Sequence, residues 1–537
     1  MHHAVIQYTC LLAIILFVVM LAQKIKVAYP ILLVLVGLPL GFVPFLRGIE
    51  IQPEFIFVIF LPPLLYEAAW NTSWKDFWKW RRVISSFAFP VVILTSCVVA
   101  FVSAALIPGF TLATGFLLGG IVSPPDAVSA SAILKTIKVP KRFITIVEGE
   151  SLMNDASSLV VFRFALAAVL TGTFVFKAAA ISFVLVIVMG IVIGIAVACI
   201  FYAIHRWLPT TTNMDVVLTF ITPYAMYMLA EEFHFSGVLA VVSGGLFLSA
   251  RRHQFLSHRS RLQGINVWEA VAFVLNGIVF ILIGLEFPVV IKNLGEGGFA
   301  HAITYSLIIT GVLIAARFAC TYGATIITML MSHIITVADP HPGWRAPILF
   351  GWTGMRGVVS LAAALSIPLM LNSGQPFPNR DMILFITFTV ILVTLVLQGL
   401  TLSTIVKWIN MPDPDMVIPM EQQRQLVRKK LAHLSLKILD DDYSEHTINN
   451  KMVKGLKMRY NADMELLQDW NKDGNEERAE VFYKDYRIIM ARLLKEQREL
   501  LLSLNKKENI SDELVKQQFE LLDLEEEKLR QFFEAVD

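Results

Sequence analysis

The sequence predicts an all-α polytopic membrane protein with about thirteen transmembrane helices and a polar helical tail. Of its 537 residues, 56% are hydrophobic and only 16% are charged, and the mean hydropathy is +0.64. Long apolar segments recur up to about residue 410, whereas charged residues are frequent over 412–537. This composition excludes an ordinary soluble enzyme and indicates a chain that crosses the bilayer many times.

About thirteen segments are long enough to cross a hydrocarbon layer of roughly 30 Å. Their approximate limits are 4–22, 28–46, 51–69, 83–107, 111–135, 143–171, 176–204, 215–232, 235–250, 268–291, 301–332, 346–371 and 383–408. The first segment has no basic leader and no small-residue cleavage site, so we expect it to be a true span. The four cysteines stand apart without metal-ligand spacing, which predicts apolar packing for them.

Lysine and arginine are distributed unevenly between the connectors of this arrangement. The connectors after odd-numbered spans carry about seventeen of them and the others about four, and cytoplasmic connectors are the basic ones. The asymmetry predicts an external N-terminus, an odd number of spans and a cytoplasmic C-terminus. The connector 70–82 mixes tryptophan with lysine and arginine, which is typical of a helix or loop at the inner headgroup layer rather than of nucleic-acid binding.

The change in composition divides the chain into a transmembrane domain, 1–411, and a helical cytoplasmic domain, 412–537. The prolines in MPDPD at 411–415 end the last span because proline cannot continue a helix. In the final helix Ser511 is a candidate N-cap, and apolar residues recur on one face. This domain either makes packing or dimer contacts or regulates the membrane domain.

The most informative stretch is 147–158, which reads VEGESLMNDASS. It lies within a predicted span, although a hydrocarbon core disfavours each ionised side chain by about 2.5–3.5 kcal/mol. On a helix, Glu150 aligns with Asn154, and Ser151 aligns with Asp155. Oxygen ligands suit hard cations, and a carboxylate in low dielectric can instead hold a proton. The stretch therefore predicts a site for either a small cation or a proton.

Span 5 is interrupted at membrane depth. Pro124 and Pro125 precede Asp126, and these prolines are expected to free the carbonyls of Gly120 and Ile121. Broken helices in membranes are tolerated where they line a cavity, and in transporters they supply ion ligands. The alternative is a proline kink with a buried aspartate cap.

Span 12 is interrupted in a similar way, since glycines flank Arg356 in GWTGMRGVVS, 351–360. Two interrupted helices in matching halves predict an inverted repeat, although the halves share no recognisable identity. Arg317 lies at the centre of span 11 and stays charged, so it needs a partner. Glu150 is the first candidate, backbone carbonyls are the alternative, and a pair with Glu150 would leave Asp155 free to exchange its proton.

Other polar residues in or near the spans have more modest interpretations. Glu67, near the inner end of span 3, is expected to be a structural ion-pair partner or else part of an entry path. Arg163 lies two turns beyond Asp155 and faces either the same site or a water-filled vestibule. Asp215 is expected at a membrane interface and His205 in a solvated loop.

These motifs resemble those of the monovalent cation:proton antiporter-1 family, the sodium/proton exchangers of NhaP type and their eukaryotic relatives. The resemblance rests on EGESLMNDASS with SPPDAV upstream and WTGMRGVVSLAAAL downstream, and on LPPLLYEAAW and WEAVAFVLNGIVFILIGLEF. It covers the membrane part, 4–410, and leaves the tail unassigned. The Asn-Asp pair within ESLMND is its most specific part.

The resemblance implies thirteen spans, a homodimer and an elevator-like movement, with the broken helices of spans 5 and 12 crossing. Carried over by position, Asp155 would bind cation or proton, and Asn154 would stabilise the helices beside it. Glu150 and Ser151 would contribute to the cation shell, so that Asp155, Glu150 and Ser151 would ligate the monovalent metal ion. Glu150 would also pair with Arg317.

By the same resemblance, Asp126 and Arg356 would cap or polarise the helix crossing. One position departs from the family, which often has threonine or valine before the span-5 aspartate and proline after it. Here Pro125 precedes Asp126 and Ala127 follows. A ligand from position 125 is then its carbonyl, which leaves the choice among Na⁺, Li⁺ and K⁺ open.

The sequence thus predicts a secondary antiporter of the plasma membrane that exchanges a monovalent cation, Na⁺ before Li⁺ or K⁺, for H⁺. The Asn-Asp pair carries only one charge, which indicates electroneutral exchange. Expected partners are these ions, membrane lipid and a second copy of the chain. No cofactor and no catalytic arrangement is expected. The alternatives are a K⁺/H⁺ antiporter of the same fold, a cation channel gated by the tail, and a membrane sensor.

Overall fold

The computed structural model describes residues 2–45, 56–134, 137, 139–172, 176–294, 299–333, 339, 343–371, 374–411, 420–469, 476–504 and 512–533. Within these ranges the chain is helical apart from turns, short connections and an isolated antiparallel bridge between Met370 and Pro376. It divides into two compact units, Met1–Asp413 and Pro414–Asp537.

The helices of the first unit are α1 (His2–Ile25), α2 (Tyr29–Leu40), α3 (Leu61–Asn71), α4 (Trp74–Ser86), α5 (Val92–Leu106), α6 (Leu112–Val122), α7 (Ala127–Leu134), α8 (Lys141–Thr171), α9 (Phe176–Trp207), α10 (Thr212–Glu232), α11 (Gly237–Phe255), α12 (His258–Leu294), α13 (Phe299–Met331), α14 (Arg345–Trp352), α15 (Val358–Leu365), α16 (Arg380–Val393) and α17 (Gly399–Ile409). Short π-helical segments precede α3 (Ile56–Phe60), join α4 to α5 (Phe87–Val91) and join α16 to α17 (Thr394–Gln398).

Eight helical stretches among the described residues are long and apolar enough to cross a membrane. They are Val5–Ile25, Trp74–Leu106, Leu112–Leu134, Lys141–Thr171, Ala180–Trp207, His258–Lys292, Phe299–Leu330 and Arg380–Ile409. The other predicted spans also contain helices, which are shorter or less apolar. The all-helical, multi-span class is therefore confirmed, and the number thirteen stays a prediction. The start of predicted span 3, the break at 412–415 and the N-cap Ser511 lie outside the described residues.

Packing groups the apolar helices into two bundles. In the first bundle (α4–α8 and α13–α17), α5, α6 and α8 lie side by side, and α13 packs on α5, α14 and α16. In the second bundle (α1–α3 and α9–α12), α2 packs on α12, and α11 packs on α3 and α9. Gly194 makes the last contact close, because a Cβ there would lie 2.1 Å from the Ala240 carbonyl oxygen. Small residues allow such approach between membrane helices.

Most of the aromatic and basic connector 70–82 is helical, since α3 ends at Asn71 and α4 begins at Trp74; its place at the inner headgroup layer stays a prediction. Trp74–Leu106 forms one stretch of 33 residues, in which the π-helical segment at Phe87–Val91 accommodates Pro90 without a break. Ser73 caps its start by accepting a hydrogen bond from the backbone N–H of Asp76 at 3.4 Å. The sequence pattern did not reveal this continuity, because the apolar period begins only after the basic residues.

The second unit contains α18 (Met420–Asp441), α19 (Ser444–Asn449), α20 (Lys451–Asp469), α21 (Glu476–Leu504) and α22 (Asp512–Phe533). The first three pack together, and α21 pairs with α22. Arg498 of α21 donates to Asp523 of α22 at 2.5 Å and also binds Glu526. Hydrogen bonds to Glu526 and Asp523 raise the pKa of Arg498. Exposed ion pairs of this kind contribute little to the free energy of unfolding. They mainly fix the orientation of α22 relative to α21.

Candidate functional site

The polar stretch of α8 is buried inside the first bundle. Glu150, Asn154 and Asp155 are 1%, 0% and 8% exposed, and Ser151 is partly buried. Residues three or four apart share one face of a helix. Ser151 and Asn154 contact the break between α6 and α7. The polar groups of α8 therefore lie where the neighbouring span is interrupted.

The first break lies at Ser123–Asp126, between α6 and α7. Pro124 and Pro125 cannot donate helical hydrogen bonds, so α6 ends before them. Asp126 starts α7 by accepting a hydrogen bond from the Val128 backbone N–H at 3.0 Å and one from Ser129 Oγ at 3.4 Å. A carboxylate at a helix N-terminus is favourable there because it meets unpaired N–H groups and the positive end of the helix dipole.

The second break, at Thr353–Gly357 between α14 and α15, crosses the first. The backbone N–H of Asp126 donates to the Met355 carbonyl at 2.7 Å. A Cβ on Gly357 would lie 2.1 Å from Asp126 Oδ2, so the two chains approach as closely as they do because residue 357 is glycine. The interrupted helices therefore touch through their unwound segments.

Arg356 binds the carboxyl end of α6 from the second break. Its Nε donates to the Val122 carbonyl at 2.7 Å and its guanidinium also donates to the Ser123 carbonyl at 3.2 Å. Its own backbone N–H donates to Thr394 Oγ1 at 3.2 Å. The cation is 1% exposed and meets the negative end of a helix dipole.

These carbonyls differ from the pair that the sequence pointed to. Prolines at 124 and 125 leave the Gly120 and Ile121 carbonyls without a helical donor, yet the arginine binds the two that follow. The reason is that the chain unwinds after Val122, which turns the last carbonyls of α6 toward the crossing.

Two side chains of α8 hold the first break. Ser151 Oγ accepts a hydrogen bond from the Ala127 backbone N–H at 3.0 Å. Asn154 Nδ2 donates to the Pro125 carbonyl at 2.8 Å. The Asn154 side-chain oxygen is buried, and none of the residues that the structure describes donates a hydrogen bond to it. Buried polar atoms of that kind need an explanation such as a bound ion or water.

Glu150 and Arg317 form the buried ion pair that the sequence favoured. The guanidinium donates to the two carboxylate oxygens at 2.5 and 2.8 Å, and to the Phe350 carbonyl at 3.4 Å. The side chains are only 2% and 1% exposed. Gly354 lies against the guanidinium groups of both Arg317 and Arg356. A Cβ on Gly354 would lie 3.2 Å from Arg317 Nε and 2.7 Å from Arg356 Nη1. Each Glu150 oxygen thus accepts a hydrogen bond from Arg317.

Asp155 differs from the other buried acid of α8. Among the described residues, none donates a hydrogen bond to its carboxylate, and the residue is 8% exposed. Its backbone carbonyl accepts from Ser158 Oγ at 3.0 Å, within the helix. A carboxylate held in this way has oxygen lone pairs available for a cation or a proton.

Two further predicted residues lie away from this cluster. Glu67 accepts a hydrogen bond from Asn71 Nδ2 at 2.6 Å within α3. Arg163 reaches Glu231 of the second bundle at 2.5 Å, with side chains 43% and 27% exposed. Arg163 is therefore paired with a residue of the second bundle, and its position beside a water-filled vestibule stays a prediction.

Sequence reasoning missed Ser129, Thr394 and the Met355 carbonyl. Ser129 had a signal, because it lies three residues after Asp126 at the start of a helix, where capping partners stand. Thr394 had no such signal, because it lies in an apolar stretch and reaches the site only since the π-helical segment after α16 passes the second break.

Comparison with known proteins places this geometry in context. The sequence model of the family described as "Sodium/hydrogen exchanger, transmembrane" matches residues 11–408. An uncharacterised Na⁺/H⁺ exchanger of Mycobacterium tuberculosis is 31% identical over 513 residues, 95% of this chain and 93% of that protein. The Na⁺/H⁺ antiporter ApNhaP of Aphanothece halophytica is 35% identical over 387 residues, 71% and 70% of the two chains.

A relative from Bacillus subtilis bears the name sodium, potassium, lithium and rubidium/H⁺ antiporter. It is 32% identical over 453 residues, 82% of this chain and 66% of that protein. Among solved structures, the sodium proton antiporter MjNhaP1 of Methanocaldococcus jannaschii superimposes with a TM-score of 0.59 at 18% identity, over 76% of this chain and 100% of that one. At that identity the likeness concerns the fold.

Proposed function

The chain belongs to the sodium/hydrogen exchanger family, whose members are secondary transporters rather than enzymes, and on that premise we propose that it exchanges Na⁺ for H⁺ across the membrane. The observation that carries the proposal is the state of Asp155. This carboxylate is buried on the helix whose Ser151 and Asn154 bind the first break, and no described residue donates a hydrogen bond to it. A cation or a proton can supply the missing positive charge.

In this proposal the cation is held by oxygens around the first break. Asp155 supplies the charge, and Ser151 Oγ and the Pro125 carbonyl supply neutral oxygens. Each of those two oxygens accepts one hydrogen bond, from Ala127 and Asn154 respectively, and keeps a second lone pair for an ion. Oxygen donors of this kind are those that hard monovalent ions require.

Glu150 has an additional role, because Arg317 donates a hydrogen bond to each of its carboxylate oxygens. It compensates the buried arginine, and each of its oxygens accepts one hydrogen bond and keeps further lone pairs for the cation shell. Asp126 and Arg356 stabilise the crossing from the amino end of α7 and the carboxyl end of α6. Their charges complement the two helix dipoles that the breaks create.

Coupling follows from competition for one carboxylate. With a cation or a proton bound, Asp155 is neutral overall and can pass through the low-dielectric interior. The empty, charged form carries a cost of about 2.5–3.5 kcal/mol on membrane-insertion scales, so it crosses poorly. Asn154 is uncharged, so Asp155 is the single charge of the Asn-Asp pair, and one Na⁺ or one H⁺ neutralises it. The pair therefore carries no net charge in either crossing, and the exchange of one cation for one proton is electroneutral.

The movement we propose is a displacement of the first bundle, which holds the site, against the second. The proposal includes thirteen spans related by an inverted repeat, an external N-terminus, a plasma-membrane location and a homodimer formed through the second bundle. It assigns residues 412–537 to the cytoplasm as a helical domain that either regulates the membrane domain or makes packing or dimer contacts. The division of the apolar helices into two bundles supports the movement, and the basic connectors support the orientation.

K⁺ is the second candidate for the transported cation. The Bacillus subtilis relative is named for sodium, potassium, lithium and rubidium, and in this chain Pro125 offers only a carbonyl at the position next to Asp126. A site built from carbonyl and hydroxyl oxygens on unwound backbone accommodates ions of different radius more readily than a rigid cage.

Purified protein in liposomes tests the proposal. A pH dye inside the liposomes reports proton movement after Na⁺, Li⁺ or K⁺ is added outside, with and without a voltage clamp by K⁺ and valinomycin. We expect proton flux that depends on Na⁺ and does not change with voltage. Cation flux without proton counterflow would indicate a channel and refute the proposal; flux with K⁺ alone would select the K⁺/H⁺ alternative.

A further inference from the structure

A recess of about 270 Å³ opens among the ends of α3, α10, α11 and α12 in the second bundle. A single bound water needs only about 10–15 Å³ of such space, so the recess has room for a small molecule or a headgroup. Trp70 and Trp268 form part of its wall, and both indoles are buried. The recess belongs to different helices from the polar stretch of α8.

The acid in this recess, Asp215, is already satisfied. A hydrogen bond of 2.9 Å joins His205 Nδ1 to Asp215 Oδ1, and Ser260 Oγ donates to Asp215 Oδ2 at 2.7 Å. His205 and Asp215 are 6% and 5% exposed. The expectation that His205 is solvated in a loop is therefore wrong: α9 extends to Trp207, and its last turn packs against the start of α10.

The two arginines of the recess, Arg252 and Arg261, have fewer hydrogen-bond partners among the described residues than Asp215. Arg252 is half-buried, lines the recess and forms no hydrogen bond or ion pair through its side chain with any described residue. Arg261 Nη1 donates a hydrogen bond to the Leu256 carbonyl at 2.6 Å. The other guanidinium nitrogens of Arg261 donate to none of the described residues. His253 and His258 add donors at the rim. Half-buried cations facing an open volume favour an anion there.

We propose that this recess binds a phosphate group, carried by the headgroup of an anionic lipid or by a soluble phosphate compound. The planar guanidinium donors of Arg252 and Arg261 match phosphate oxygens in pairs. Basic pockets between membrane helices bind lipid headgroups, and tryptophan favours the same depth. The recess lies at the ends of helices where the basic connectors also cluster.

The neighbouring arginine provides a matched control. Arg251 does not line the recess; its guanidinium lies over the Phe247 ring, 4.0 Å from the centroid, and donates to the Phe247 carbonyl at 3.5 Å. Arg251→Ala and Arg252→Ala therefore remove the same charge from adjacent positions of α11, but only the second removes it from the recess.

The test uses the full-length protein purified in a neutral detergent. Native mass spectrometry measures binding of phosphatidylglycerol, with zwitterionic phosphatidylcholine as the reference, and calorimetry measures binding of glycerol 3-phosphate. We expect Arg252→Ala to weaken one phosphate probe at least about tenfold, since charge-assisted hydrogen bonds are lost. Arg252→Lys should give an intermediate loss, and Arg251→Ala should bind as the wild type does.

The two probes distinguish the sources of the phosphate. A loss confined to phosphatidylglycerol identifies a lipid headgroup, and a loss confined to glycerol 3-phosphate identifies a soluble ligand. Equal affinity of Arg252→Ala and wild type for both probes overturns the proposal, and so does an equal loss in Arg251→Ala. Elution of each variant as a single peak in size-exclusion chromatography excludes misfolding as the cause.

Discussion

Replacing Arg317 by methionine is expected to destabilise the membrane domain strongly. The wild-type guanidinium meets both oxygens of Glu150 at 2.5 and 2.8 Å, in a place where the two side chains are 1% and 2% exposed. Methionine fills similar space but supplies no charge and no donor. The carboxylate is then left buried without its counter-charge, while the rest of the bundle is unchanged.

The size of this effect follows from the burial. Removing one partner of a buried ion pair costs about 3–5 kcal/mol, whereas replacing both partners by apolar residues is often neutral or stabilising by about 1–4 kcal/mol. Arg317→Met should therefore be much less stable than the double variant with Glu150→Leu. Arg163→Met is the control, because its pair with Glu231 is exposed and such pairs are worth about 0.2–1 kcal/mol.

Thermal unfolding of the purified variants, followed by the monodisperse fraction in size-exclusion chromatography, measures the order of stability. The reasoning predicts Arg317→Met as the least stable, with the double variant and Arg163→Met near the wild type. If Arg317→Met unfolds at the wild-type temperature, Glu150 is not a buried ionised partner and the assignment of charge compensation to this pair is refuted.

Two further predictions concern the crossing and the movement. Gly357→Ala brings a methyl group to 2.1 Å from Asp126 Oδ2, so it should abolish cation-dependent proton flux. Gly311→Ala is the control and should keep the flux, because beyond its own stretch of helix no described atom lies within 4 Å of the added methyl group. Equal flux in both variants would contradict the described crossing. Arg163 and Glu231 meet through the tips of long side chains, so cysteines at these positions need a linker to join the two bundles. In a background without the native cysteines, a bis-methanethiosulfonate cross-linker between cysteine replacements of Arg163 and Glu231 should block flux, and reduction should restore it. Unchanged flux in the cross-linked protein would argue against relative movement there.

Much of the site was predictable because burial makes charge informative. Glu150, Asp155 and Arg317 lie in apolar segments where ionised groups are costly, so each had to be paired or functional, and the Glu150–Arg317 pair is present. The breaks of α6–α7 and α14–α15 followed from the backbone chemistry of Pro125 and the glycines around Arg356, which act within a few residues of chain.

The rest depends on how distant segments meet, which periodicity does not encode. The sequence could not tell that Arg356 would bind the Val122 and Ser123 carbonyls, because that choice depends on the angle of crossing. The sequence also predicts a loop at His205, because the apolar run ends before this residue. In the structure α9 continues to Trp207 and includes it. In each case a tertiary contact decided the outcome.

The measurement that tests the central claim most directly is cation-dependent proton flux in liposomes containing Asp155→Asn. The control is Glu148→Gln, a carboxyl group on the same helix that accepts a hydrogen bond from Ser131 Oγ at 3.2 Å. If Asp155 is the group for which cation and proton compete, its variant elutes as a single peak and gives the flux of empty liposomes, while Glu148→Gln retains exchange. Substantial Na⁺-dependent flux through Asp155→Asn would contradict the account.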